Sequence, residues 1–200
     1  MTKTIDYYFA PQSPWTYLGH ARFMAMASAA RATVRALPAD FGTVFAVSGG
    51  LPLSKRAPQR QAYRLQDLAR FRDFLRLPLN LEPRHFPVAG DDAARLIIVV
   101  ESQDGAKAAL RLSGAILAAV WAQQRDIANA TTLAELLAEG DLPVQRLAQS
   151  QSHAVQERYV ANTEAAIKAG VFGAPSYVID GEIFWGQDRL DLVERKLQSN

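Results

Sequence analysis

The spacing of apolar positions changes character along the chain, and each change marks a different kind of element. Thr4–Phe9 (TIDYYF) gathers β-branched and aromatic residues and is stopped by Pro11, which predicts a first strand. Apolar residues then recur at helical spacing in Tyr17, Leu18, Ala21, Met24 and Ala25, with Ser13 as N-cap and Pro14 in the first turn, where its missing N–H costs nothing. This predicts a helix running to about Ala30. Thr33–Leu37, bounded by Pro38, reads as a second strand, parallel to the first and completing a right-handed βαβ unit.

From residue 42 to residue 169 the pattern turns helical. Ala, Leu, Arg and Gln dominate, and periodicity recurs in Gln59–Phe74, Ala106–Gln124, Leu133–Glu139 and His153–Ala169. The run Leu96–Val100 (LIIVV) has no period of its own, fits either a buried strand or a buried helix, and is read here as helix. Ser48–Pro58 and Leu77–Gly90, rich in Gly and Pro, interrupt the helices as long loops of the kind that often bind ligands. After Gly170, a suitable helix C-cap, the strand pattern returns in Pro175–Ile179 and Glu182–Trp185, joined by Asp180-Gly181, a strong hairpin signal. Gln187–Gln198 closes as a helix. The expected fold is α/β: residues 1–41 and 170–200 form one mixed sheet in the order βαβ…ββα, and residues 42–169 form an all-helical insertion.

Composition narrows the chemistry. Two hundred residues, 49% of them hydrophobic, suffice for one compact domain, or a small one with a large insertion. With no cysteine, the chain forms no disulfide or thiolate metal site, so any sulfur nucleophile must arrive with a ligand. The net charge is +2 with basic and acidic residues interspersed, which argues against nucleic acid as partner. No leader pattern or membrane-length apolar run is visible, and a cytoplasmic protein without a membrane partner is expected. His20, His85 and His153 are scattered without metal-ligand spacing, so no metal site is expected and packing or surface roles are.

Ser13 is the first residue of interest, because a helix N-terminus offers free N–H groups and a positive dipole end to an anion. From local pattern alone, a simple cap is the stronger reading. Gly-x-Ser-x-Gly is absent, which argues against a serine hydrolase. Ala174-Pro175 precedes a strand; trans is the default for such a bond, and a cis bond would turn the Ala174 backbone outward as an edge for a peptide-like ligand. Gln187 or Asp188 can cap the last helix, and Arg189 can pair with a carboxylate.

These segments together carry a resemblance. Ser13–Gly19 (SPWTYLG) resembles the Ser-Pro-(Tyr/Phe)-(Ser/Thr)-Tyr-Leu-(Ala/Gly) signature of the 2-hydroxychromene-2-carboxylate isomerases and kappa-class glutathione transferases, thioredoxin-like proteins related to DsbA. Gly170–Glu194 is similar to their second signature, and Pro58–Phe71 (PQRQAYRLQDLARF) to their middle segment, so the resemblance spans nearly the whole chain. It implies a thioredoxin-like fold with a helical insertion, glutathione as cofactor, a small aromatic substrate and a homodimer. It further implies that Ser13 hydrogen-bonds the glutathione sulfur and favours thiolate over thiol. Ala174, before a cis-Pro175, would pair with the cysteinyl backbone, and Gln187 and Asp188 would take the γ-glutamyl ammonium and carboxylate. Lys55, Arg56 and Arg60 are candidates for the substrate carboxylate by position. Gly50 and Ala89 stand where the family often has asparagine, and Ala10 where an acid is common. The implied reaction is a glutathione-dependent isomerisation, with conjugation or peroxide reduction, or non-catalytic peptide binding, as alternatives.

Overall fold

A computed structural model describes residues 2–199; Met1 and Asn200, which close the two terminal segments, lie outside it. Strand β1 (Thr4–Phe9) is followed by helix α1 (Pro14–Ala29) and strand β2 (Thr33–Pro38). Helices α2 (Phe41–Ser48), α3 (Pro58–Leu75), α4 (Asp91–Asp104), α5 (Ala106–Trp121), α6 (Ala130–Glu139), α7 (Gln145–Gln149) and α8 (His153–Lys168) come next. Strands β3 (Ser176–Ile179) and β4 (Glu182–Trp185) then lead into α9 (Leu190–Gln198). The sheet order is β2-β1-β3-β4, so the two ends of the chain meet at its centre.

Register follows from which side chains must be buried. β1 pairs in parallel with β2, Thr4 opposite Thr33 through Phe9 opposite Pro38, and antiparallel with β3, where Tyr7 faces Tyr177. Alternation sends Ile5, Tyr7 and Phe9 into the main core and Tyr8 to the opposite face, against Leu37, Phe41 and Val44. Tyr7 stacks on Phe9 and on Tyr177, at 4.6 and 5.4 Å between centroids. β3 and β4 are joined by Asp180 and Gly181, both with positive φ, which matches the twist of the strands they connect.

The helical segment departs from its sequence pattern where tertiary burial overrides it. Leu96, Ile97, Ile98, Val99 and Val100 are all buried in α4, which packs on α5, α7, α8 and β2. A helix enclosed on most sides needs no polar stripe, which is why its periodicity was silent. α2 and α7 were not expected from the pattern. α2 is capped by the Asp40 carboxylate on the Gly42 N–H at 2.7 Å, and Gly49 closes it with φ of 76°. α5 ends at Trp121 rather than Gln124, α6 begins at Ala130 rather than Leu133, and Gln187–Arg189 forms a 3₁₀ turn ahead of α9. Among the described residues no helix is long and apolar enough to cross a membrane.

Candidate active site

The α1 start is built by three adjacent residues. Ser13 has extended backbone, its Oγ accepts the Thr16 N–H at 3.2 Å, and its carbonyl accepts the Tyr17 N–H at 3.0 Å. Pro14 carries no N–H. The Trp15 N–H and the Ser13 hydroxyl proton find no acceptor among the described residues. Two donors at the positive end of a 16-residue helix are therefore left for an anion.

Trp15, two residues after Ser13, lines a cleft of about 180 Å³ with Asp67, Phe71, Ala174, Trp185, Gly186, Gln187, Asp188 and Arg189; Ser13 and Pro175 adjoin lining residues in sequence but are not themselves in the lining. The Trp15 and Phe71 rings meet edge to face at 6.0 Å, so α3 closes one wall. The opposite wall is Ala174 and the 3₁₀ turn. The Ala174-Pro175 bond is cis, and the Pro175 carbonyl accepts the Gly186 N–H at 2.9 Å, which fixes the turn against the sheet. The cleft carries both signs of charge: Asp188 and Arg189 pair at 2.7 Å, and Asp67 leans on Arg70 at 3.8 Å.

Gln187 sits differently from Asp188 and Arg189. It is 2% exposed, its Oε1 accepts from Arg22 at 3.3 Å, and its buried Nε2 has no acceptor among the described residues. Its β-carbon lies so close to α1 that a β-carbon at position 19 would come within 2.7 Å of it, which is why Gly19 is there. Sequence reasoning reached Ala174, Gln187, Asp188 and Arg189, and the structure gathers them into one cleft. Lys55, Arg56 and Arg60 line no part of it: Lys55 and Arg60 are exposed, and the Arg56 Nε donates to the Leu51 carbonyl at 2.8 Å. Trp15, Asp67, Phe71 and Trp185 were missed as site residues, although each lay inside a quoted motif.

The histidines are accounted for elsewhere. His20 is buried between the Tyr7 hydroxyl, which donates to Nδ1 at 3.1 Å, and the Leu110 carbonyl, which accepts from Nε2 at 2.9 Å. Burial pushes its pKa down to about 4, opposed in part by the bond to Leu110. It is neutral at physiological pH and serves packing. Among the described residues no group of His, Asp or Glu could hold a metal ion. A wider groove of about 1090 Å³, lined by Arg35, Glu101, Arg158 and Asn162 among others, contains none of the candidate site residues.

Comparison with known proteins agrees with this architecture. The sequence model of the DSBA-like thioredoxin domain family matches residues 4–198. A 2-hydroxychromene-2-carboxylate isomerase of Sphingobium xenophagum is 29% identical over 199 residues, covering 98% of this chain and 99% of that one. The Pseudomonas putida protein of the same name is 29% identical over 194 residues, 95% of this chain and 92% of its own. The solved structure of a 2-hydroxychromene-2-carboxylate isomerase superposes with a TM-score of 0.77 at 27% identity, covering 97% of this chain and 94% of that one.

Proposed function

The chain belongs to the DSBA-like thioredoxin domain family, and from that membership and the cleft beside Ser13 we propose that it is a glutathione-dependent isomerase of the 2-hydroxychromene-2-carboxylate type. The observation that carries the reading is the pair of unused donors at the start of α1, set beside a cleft with the charges of an amino-acid head group.

The residues present fit the tripeptide. Asp188 and Asp67 offer carboxylates to the γ-glutamyl ammonium, and Arg189 offers donors to its carboxylate. The buried Gln187 Nε2, without an acceptor, is satisfied by a carbonyl or carboxylate oxygen brought in by a ligand. Ala174, two residues before β3, lines the cleft, where an extended backbone can pair with it. When bound, glutathione supplies a thiolate that adds reversibly to a conjugated carbon, permits rotation about the resulting single bond, and leaves again.

Ser13 supplies what that chemistry asks of the protein. Its hydroxyl keeps Oγ on the Thr16 N–H as acceptor while its proton is free to donate to sulfur. Together with the Trp15 N–H and the helix dipole, this donor favours the ionised sulfur over the neutral thiol. The missing cysteine at this position leaves no protein thiol to compete.

The test is turnover of 2-hydroxychromene-2-carboxylate with and without glutathione. Interconversion that requires glutathione and leaves its total unchanged is the expected result. Consumption of glutathione would assign a transferase or peroxidase instead, and interconversion independent of glutathione would remove the cofactor.

A further inference from the structure

Of the charged side chains on α3, Arg64 alone is half-buried without a hydrogen bond or ion pair among the described residues. Its guanidinium carbon lies 5.3 Å from the centre of the Phe86 ring and 5.7 Å from that of Trp121, two rings that pack on each other at 4.8 Å. Both contacts are to ring systems, which offer no hydrogen-bond acceptor atom in place of a carboxylate, so the guanidinium N–H donors have no partner among the described residues. The surroundings add positive charge and no negative charge. Burial and then Arg56 press the Arg64 pKa down to about 10, so it stays protonated, and Arg56 is itself lowered by burial and by Arg60. No carboxylate acts on either.

This basic corner reaches the Ser13 loop through Trp121. The indole Nε1–H donates to the Gln12 carbonyl at 3.2 Å, one residue before Ser13. The Gln12 side-chain Oε1 is buried with no donor, pressed against Gly90, where a β-carbon would come within 2.1 Å of it. Along α3, Arg60 and Arg64 are followed at helical spacing by Asp67 and Phe71, so one face of one helix carries the basic corner and then the wall of the cleft.

We infer that Arg64 is the anion receptor of a second ligand site beside the Ser13 loop, taking the carboxylate of a planar aromatic hydroxy acid. The anion site stands on the unpaired guanidinium; the choice of an aromatic hydroxy acid rests on the isomerase reading. The assignment replaces Lys55, Arg56 and Arg60 as holders of the substrate carboxylate, because their charges are solvated or turned to the backbone.

The probe is salicylate, with salicylamide as its uncharged counterpart, titrated calorimetrically into wild type, Arg64→Gln and Arg60→Gln, each also titrated with glutathione. Wild type should prefer salicylate to salicylamide, and Arg64→Gln should lose about tenfold or more in salicylate affinity, while Arg60→Gln and all glutathione affinities change little. Absence of salicylate binding by wild type, equal binding of the amide, or a loss that falls on Arg60→Gln instead overturns the inference. If Arg64→Gln does not fold, Arg64→Lys carries the test: a charge without the fork should lose about threefold or more, and unchanged binding contradicts the site. Arg64-dependent salicylate binding without any glutathione binding would sink the isomerase reading and leave the anion site standing.

Discussion

A serine hydroxyl has two lone pairs and one proton, and at Ser13 the first turn of α1 uses only a lone pair. Capping and sulfur activation are therefore compatible readings of one side chain. The pairing of Ser13 with Pro14 made the helix start legible, because both residue types have a positional reason to be there. Arg64 had no such signature: in sequence it is one arginine among many in a helical run. Its meaning comes from Phe86 and Trp121, which only the fold brings to it. His20 shows the converse, a residue type that suggests catalysis but whose two ring nitrogens are both taken. Its folded pKa of about 4 lies below the ordinary 6.5, so the unfolded chain binds more protons between those values. The neutral ring stabilises the fold fully above about pH 6.5, and that contribution, about 3 kcal/mol, drains away as pH falls towards 4. Proton NMR of the imidazole should show His20 titrating near 4, with urea stability falling over the same window; a midpoint near 6.5 would contradict its burial.

Between elements, the contact of α1 with the 3₁₀ turn decides the shape of the cleft. Alanine at position 19 would gain up to about 1 kcal/mol in helix propensity. Its β-carbon would, however, stand 2.7 Å from the Gln187 β-carbon and 3.3 Å from that residue's backbone, a clash at the root of a side chain where no rotamer relieves it. Overpacking of this kind costs about 1–3 kcal/mol and wins. Gly19→Ala should lower stability by about 1 kcal/mol in urea melts and weaken glutathione binding by displacing Gln187 and Asp188; a more stable protein with unchanged binding would refute the contact. Elements with their own punctuation were readable: β1 by its alternation, the β3–β4 hairpin by Asp180-Gly181, α1 by its cap. α2 was not, since Gly42 and the β-branched Thr43, Val44 and Val47 weaken its local helix preference and its place is set by packing of Phe41 and Val44 under the sheet.

Over the whole molecule, the sheet joins strands more than 160 residues apart in sequence, as when Tyr7 faces Tyr177. That arrangement was legible because strand patterns sat at the two ends of the chain and helical periodicity filled the middle. How α3 folds back over the start of α1 was not, because Trp15 against Phe71 and Arg64 against Trp121 are contacts that no spacing encodes. The cleft is thus assembled from both terminal segments and one helix of the middle, and Lys55, Arg56 and Arg60, which sequence offered for the substrate carboxylate, do not line it.

The most direct measurement is the ultraviolet thiolate absorbance of glutathione bound to wild type and to Ser13→Ala, followed as a function of pH. A charged hydrogen bond contributes about 1.5–3 kcal/mol, so wild type should hold the sulfur ionised at least about one pH unit below the ordinary thiol value near 8.5, and the alanine variant should return most of the way to it. Identical titration curves for the two proteins would contradict the role assigned to the Ser13 hydroxyl.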